Sequence, residues 1–518
     1  MRAQPNILMI VVDCLRSDRV FGPERTCLTP CVDAFAAKAV GFSRMFVENP
    51  ITSPSFASLF TGCSALAHGI SSLLGVQMAP KLTTMAEILA GRGYHTYAEV
   101  TGPLLPLLGI GRGFGEYTYR DQTAYGTTCW GRRLLDRFRG GGLAWPWFVL
   151  VHLWEIHEPR HVPRAFRSAA FGATAYDRAW SALDGFIGDL IDAAGPDALV
   201  ILTGDHGERI GEATPAGTLL PYFMDKLQIP RLEREEDSRV HEDMALYKKR
   251  SRQLHEVSLH LDRLTRLEEG RIAPRTRVRI CLKLLRIAFT RLRTQRLRLT
   301  PAGLREQWRL KKEDFRIGVA VRQGDSRAAQ RQLLRITLSQ IHLQHGYHIY
   351  DYLTQVPFLI AGPALGAAPR LQRSGVRHID VLPTLCEILG FDPPPYAGQG
   401  ASFATLLHTD AVEERPLYME VRGGTQATQD FYIRGIRSNG WKLAYAPIDA
   451  KAPIELYDLS TKPGEAVNLA SAQPEMAARM RAEAEALVEA LRSPVPGAAP
   501  TSEEQAALFE NLRSLGYI

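Results

Sequence analysis

Ile7-Leu8-Met9-Ile10-Val11-Val12-Asp13 is the stretch on which the fold turns. Six consecutive apolar residues show none of the polar alternation of a half-buried strand. Such a run is the mark of a strand covered on both faces, an inner strand of a parallel sheet. A carboxylate follows it at once. Ligands of open α/β sheets bind just beyond the carboxyl ends of strands, so Asp13 stands where chemistry is done. Trp147–Leu153 is a second such strand and is followed by a polar loop. Ala198–Leu202 is a third and runs into Thr203-Gly204-Asp205-His206-Gly207-Glu208. Tyr94–Val100 and Val356–Ala361 complete the strands. Helical spacing falls between them at Pro54–Phe60, with Ser53 as N-cap and Pro54 in the first turn. It recurs at Thr84–Gly91, Tyr176–Ala194 and Asp380–Leu389. This alternation predicts an α/β fold, a central mainly parallel sheet sandwiched by helices. From about Glu414 the pattern changes to short alternating strands, Leu417–Val421, Phe431–Ile436 and Trp441–Ala446, and a charged helix at Glu475–Leu491. We therefore expect a catalytic domain over 1–412, an insertion at about 213–340, and a small C-terminal α+β domain over 413–518.

The composition agrees with a folded chain. Of 518 residues, 45% are hydrophobic and 23% charged, which excludes a disordered, collagenous or fibrous protein. No run of about 18 apolar residues occurs, so no membrane-spanning helix is expected. Nothing before Ile7 has the layout of a secretory leader. Seven cysteines is a sparse and odd number. It argues against a disulfide framework and makes a reducing cytoplasm the expected compartment. Cys27 and Cys31 are spaced like a ligand pair, but no second pair follows them, and they are not read as a zinc site.

The net charge of +7 is unevenly distributed. Residues 225–340 hold 29 basic and 15 acidic side chains, so the remainder of the chain is net acidic. Arg271–Leu299 carries ten basic residues and no acid, and Val278, Cys281, Leu282, Leu285, Phe289 and Leu292 share one helical face. Three readings stay open: a solvated helical insertion, a helix lying on the anionic inner face of a membrane, and a nucleic-acid surface. Nucleic acid is the least favoured, because no recognisable nucleic-acid fold surrounds the segment.

Asp13, Asp205 and His206 offer two oxygens and one nitrogen, a set suited to Zn²⁺ or Mn²⁺ and, with further oxygens, to Mg²⁺ or Ca²⁺. The glycines flanking Asp205-His206 let backbone approach a ligand closely. Thr52 opens a helix, where free N–H groups favour an anion. It is either an ordinary cap or a metal-activated nucleophile.

These pieces, in this order, resemble the sulfatase family of the alkaline phosphatase superfamily. Asn6–Asp18 resembles its opening metal strand, and Thr29-Pro30 with Asp33 its first helix. Thr52-Ser53-Pro54-Ser55-Phe56-Ala57-Ser58-Leu59-Phe60-Thr61-Gly62 with His68-Gly69 resembles the nucleophile motif. His152 and His157-Glu158-Pro159 resemble its histidine loop, and Thr203–Glu208 its second metal motif. His345-Gly346, Tyr350-Asp351 and Val356-Pro357 resemble the segment closing the site. Asp380, Pro383 and Thr384 match the late helix, Glu455–Leu459 the C-terminal domain, and Leu515-Gly516-Tyr517 a frequent ending. The chain also departs from the family. Thr52 stands where sulfatases place the Cys or Ser matured to formylglycine. Phe56 replaces a helper arginine, and Cys14 replaces the second opening aspartate. We read Cys14 as a packed thiol rather than a soft extra ligand.

The resemblance implies a hydrolase of anionic esters, phosphate esters before sulfate esters, with one divalent ion (Zn, Mn, Ca or Mg). Asp13, Thr52, Asp205 and His206 would hold the ion. Thr52 would attack, and His157 and His345 would neutralise oxygens or protonate the leaving group. Spacing leaves His348 as an alternative to His345. His152, His161 and His378 are read as packing or surface residues. Two other functions stay open: a phosphoethanolamine-type transferase acting on a glycan or lipid acceptor, and an inactive glycan-binding relative.

Overall fold

The computed structural model describes residues 4–23, 25–73, 77–121, 124–158, 160–212, 218–226, 345–394, 399–423, 431–460 and 464–492. The basic segment 271–299 and Leu515-Gly516-Tyr517 lie outside these residues. No helix among the described residues is long and apolar enough to cross a membrane.

The first strand, β1 (Ile7–Val12), is wholly buried. Ile7, Met9 and Val11 enter one core with Phe56, Phe60, Phe148 and Leu150. Leu8, Ile10 and Val12 enter a second with Val149, Tyr176, Trp180 and Leu202. Each such side chain contributes about 1.5–3 kcal/mol by leaving water, which explains why the run carries no polar residue. The other strands of its sheet are β2 (Val40–Phe46), β3 (His95–Val100), β4 (Glu116–Tyr119), β5 (Trp147–Leu153), β6 (Leu199–Gly204), β7 (Gln355–Ala361), β8 (Arg370–Gln372) and β9 (Val376–Arg377). They are ordered β4-β3-β5-β1-β6-β7-β2-β8, with β9 also on β2. β1 pairs in parallel with β5 and β6, and β7 runs antiparallel to both of its neighbours. Val12 lies opposite Leu153 on one side and Gly204 on the other. The residues after these three strands therefore emerge side by side, and that edge is where the site forms.

Several elements differ from the sequence reading. The helix expected at Pro54–Phe60 spans Thr52–Thr61, with Ile51 in extended conformation at its cap and no side-chain cap bond. Pro54 fits because the first-turn N–H groups of a helix have no partner inside it. β2 escaped notice because Gly41, Ser43 and Arg44 interrupt its apolar pattern and a register shift falls between Phe42 and Met45. The helix Cys129–Arg139 escaped because only Trp130, Gly131, Leu134 and Leu135 are buried beneath a charged surface.

β10 (Leu417–Val421), β11 (Ile433–Ser438), β12 (Trp441–Tyr445) and β13 (Glu455–Asp458) form a separate antiparallel sheet. The helix Pro474–Leu491 covers it, packing Ala477, Met480 and Ala484 on Ile436, Leu443, Tyr445 and Leu456. Ion pairs fasten this sheet to the short helix Asp351–Thr354 that leads into β7. Asp351 lies 2.5 Å from Arg437 and 2.7 Å from Lys442, and Lys442 also reaches Glu465 at 2.6 Å. Lys442 is 1% exposed, so it depends on these carboxylates. Asp351→Ala leaves it with Glu465 alone. We expect the unfolding free energy to fall by about 2–3 kcal/mol in a denaturant titration, below what breaking a fully buried pair costs, because Asp351 keeps 25% exposure.

Candidate metal centre and catalytic groups

Asp13, immediately after β1, is fully buried and its N–H donates to Leu153 O at 2.8 Å, which continues the β1–β5 ladder by one rung. Asp205 and His206 follow β6 and are equally buried. Asp205 Oδ1 accepts the N–H of His206 at 2.8 Å and of Cys14 at 3.0 Å. Its Oδ2 is buried with no hydrogen-bond partner. The glycines of this motif serve a purpose other than the expected one. A Cβ on Gly204 would meet Leu15 O at 2.5 Å, and one on Gly207 would meet Tyr352 O at 2.1 Å. They let strand ends pack backbone to backbone, and the approach to a ligand is left to side chains.

Thr52 is the first residue of its helix and does not cap it. Its Oγ1 lies 3.2 Å from His206 Nε2 and 3.4 Å from Asp13 Oδ2. The cap reading is thereby corrected. The His206 ring is tethered by Nδ1 to Gly207 O at 2.9 Å. This assigns the proton to Nδ1 and turns the lone pair of Nε2 toward Thr52.

The histidines divide into those in the site and those outside it. His152, read from sequence as packing, lies opposite Val11 in the ladder on the face that carries Thr52. Its Nε2 stands 3.2 Å from Asp13 Oδ2 but off the line a hydrogen bond needs, so both atoms face the same small space. Asp13, His152 and Asp205 have ligand atoms within 4.8 Å of one another, as do Asp13, Cys14 and His206. His157 stacks on Trp154 at 3.9 Å, with Nδ1 held by Glu158 O at 2.6 Å. His345 lies 5.2 Å from the His157 ring and 4.5 Å from that of His206. Its Nδ1 is 3.3 Å from Glu208 Oε2. His348 instead meets Glu455 at 3.1 Å and stacks on Tyr350, so it does not substitute for His345. His378 is buried against Ser55 Oγ at 3.2 Å, and His161 stacks on Tyr125. Cys14 is packed in the core as read, and its Sγ also donates to Asp13 Oδ1 at 3.0 Å. Sequence reasoning thus missed His152, the contact of Cys14 with Asp13, and Glu208. The signal for each is spatial, since it appears only once the strand register is known.

Residues 5–391 match the family model described as Sulfatase. The chain belongs to the sulfatase family. It is 32% identical to arylsulfatase K of Mus musculus over 136 residues, 25% of this chain and 24% of that one. The chain thus matches about a quarter of the length of this curated relative. Among solved structures it resembles a 2-O GAG sulfatase, with a TM-score of 0.54 and 16% identity over 96% of this chain and 95% of the other. It also resembles the phosphonate monoester hydrolase from Silicibacter pomeroyi, with a TM-score of 0.58 and 14% identity over 94% and 95%. Sulfatases are hydrolases of the alkaline phosphatase superfamily and typically use a divalent metal.

The electrostatics of this sulfatase-family site test whether a cation fits. Burial pushes Asp13 up, but His157, His152 and His206 outweigh it and hold the carboxyl far below its usual range. Burial and the facing Asp13 push Asp205 up to about 6. Two carboxyls at adjacent strand ends, one with an unpartnered oxygen, form a donor set that a divalent ion would satisfy. Burial pulls His157 down to about 3. It also pulls on His345, but Glu208, Asp13 and Asp205 prevail and raise it, which favours the imidazolium there. Asp205 titrates in the folded protein above its ordinary value of 3.8. Without a cation its protonation stabilises the fold at acid pH, and that contribution is lost as pH rises through about 6. A bound cation replaces the proton. We therefore expect the gain in melting temperature on adding divalent metal to be larger at pH 8 than at pH 5. Calorimetry with and without chelator measures it, and His206→Ala should abolish most of the gain.

Proposed function

We propose that this chain is a metal-dependent hydrolase of anionic esters that prefers phosphorus esters to sulfate esters and uses Thr52 as its nucleophile. The observation that carries the reading is the position of Thr52 Oγ1 between His206 Nε2 and Asp13 Oδ2, at the N-terminus of a ten-residue helix. A metal held by Asp13, Asp205 and His206 would lower the pKa of the hydroxyl and polarise the ester under attack. Thr52 attacks phosphorus, the P–O bond to the leaving alcohol breaks, and a phosphothreonine forms. The hydroxyl proton passes to Asp13 Oδ2, 3.4 Å away, since the one free lone pair of the His206 ring would be taken by the metal. His345, whose charged form Glu208 favours, faces the same space and is placed to meet a non-bridging oxygen or to give a proton to the leaving alcohol. Water then cleaves the phosphothreonine and restores the hydroxyl.

The preference for phosphorus follows from the side chain. In a formylglycine enzyme one hydroxyl of the aldehyde hydrate takes the sulfuryl group and the other then expels sulfate by C–O cleavage, with no attack of water on sulfur. Thr carries a methyl group on Cβ, so its oxidation would give a ketone rather than that aldehyde. A sulfo-threonine would have to be broken by attack from outside. The resemblance in fold to both a GAG sulfatase and a phosphonate monoester hydrolase supports a scaffold that accommodates either ester.

The test is a panel of 4-nitrophenyl phosphate, a phosphodiester, a phosphonate monoester and the sulfate, run with metal analysis of the same samples. Phosphorus esters should be turned over well above the sulfate. Thr52→Ala should lose about 10³-fold or more in kcat with its metal retained, and Thr52→Ser should keep measurable turnover. Preferred cleavage of the sulfate, or full activity in Thr52→Ala, would refute the assignment. Added alcohol that captures the phosphoryl group in place of water would show a transferase.

A further inference from the structure

We infer that Cys14 is a ligand of the metal held by Asp13, Asp205 and His206, and that its thiolate makes this a zinc centre rather than a calcium or magnesium centre. The inference rests on the reading that those three residues hold a cation. Cys14 is committed to the centre through both its backbone and its side chain. Its N–H donates to Asp205 Oδ1 at 3.0 Å, and its Sγ reaches Asp13 Oδ1 at 3.0 Å and lies 3.8 Å from His345 Nδ1. The ligand atoms of Asp13, Cys14 and His206 all fall within 4.8 Å of one another, and all three residues are buried.

The backbone at Cys14 is itself unusual. Cys14 has a φ of 62°, in the left-handed region that a Cβ disfavours. Among the described residues only Cys14 and Asn439 do so without being glycine. Asparagine tolerates that region, and cysteine has no such preference. A glycine would take the turn after β1 without strain. The chain instead keeps a side chain there, and the turn aims that side chain at Asp13. Strain held at a strand end beside a ligand set is a mark of function.

The donor chemistry then selects the ion. Calcium and magnesium take oxygen ligands. Carboxylate, imidazole and thiolate donors together suit zinc, which binds sulfur, nitrogen and oxygen. An aspartate in place of Cys14, as the family resemblance implies, would give a harder oxygen face.

The experiment uses the full chain, stripped with chelator and reloaded with zinc, calcium, magnesium or cobalt(II). The wild type should retain zinc against a large excess of calcium. Its cobalt(II) form should show a thiolate-to-cobalt charge-transfer band in the near ultraviolet. Cys14→Ser should lose the band and bind zinc at least about tenfold more weakly, since removing a ligand costs no less than removing an outer-shell partner. Cys14→Asp should move the preference toward calcium and magnesium. Cys14→Gly separates ligation from folding. It should melt higher than wild type when metal-free, because glycine is at ease at this φ, yet bind zinc more weakly. Absence of the band in the wild-type cobalt form, or unchanged zinc affinity in the Ser and Gly variants, overturns the inference. So does a second ion per chain whose loss alone follows Cys14→Ser, since the thiol would then belong with His157 and His345. Retention of the band in an inactive Thr52→Ala protein supports ligation independently of the nucleophile. A wild type that cleaves phosphorus esters without the band removes the thiolate and leaves the proposed reaction standing.

Discussion

Two buried carboxylates at the ends of adjacent parallel strands set the terms for everything around them. β1 and β6 pair with Val12 opposite Gly204, so Asp13 and Asp205 are forced to emerge next to each other in a dry interior. Burial first, and then repulsion from the facing Asp13, raise Asp205 to about 6, and that rise expresses the cost of the arrangement. The surroundings hold the pair in place without neutralising it. Two backbone N–H groups occupy Asp205 Oδ1 and leave Oδ2 without a partner. Imidazoles from β5, from the loop after it and from the turn after β6 crowd the other carboxyl. Glycines at 204 and 207 let the strand ends close to backbone contact, which keeps the arrangement rigid. A site organised this way is strained as bare protein and becomes favourable when positive charge is added.

The large features were legible because they follow from one-dimensional patterns. A six-residue apolar run can only be an inner strand, and a carboxylate after it can only lie at the sheet's carboxyl edge. Asp13, Asp205 and His206 were found by that rule alone. Elements whose apolar residues are interrupted, such as β2 with Gly41, Ser43 and Arg44, gave no comparable signal. The same holds within the site. His345 and His348 are three residues apart and cannot be told apart by spacing. Packing separates them, sending one to Glu208 and the other to Glu455. His152 was misread because a histidine inside an apolar strand resembles a packed one. Only the register that places it opposite Val11, on the face of the Thr52 helix, turns it toward Asp13. Cys14 is the complementary case: its thiol is packed in the core as its composition predicts, whereas its left-handed backbone and its contact with Asp13 are invisible without coordinates.

The departures from the family pattern form one connected structure rather than three separate substitutions. Phe56 meets the His152 ring edge-on at 5.1 Å, His152 faces Asp13, and Asp13 lies against both Cys14 and Thr52. A buried arginine in place of Phe56 would bring a fixed cation to the His152 side of this chain of contacts. With Phe56 there, positive charge must come from elsewhere. Of the guanidiniums nearby, Arg160 is paired with Glu158 and Arg16 with Asp18 and Glu212, while Arg120 donates to His152 O and lies over the Trp130 ring. The imidazole of His345, whose charged form Glu208 favours, adds to them from the segment that leads to β7. A hydroxyl that stays a hydroxyl needs no cation beside it to hold an aldehyde hydrate. It needs a base within reach and a charged group across from it to receive the ester's negative oxygens. The phenylalanine at 56 and the threonine at 52 fit that requirement together, with the imidazole of His345 facing the same ligand set.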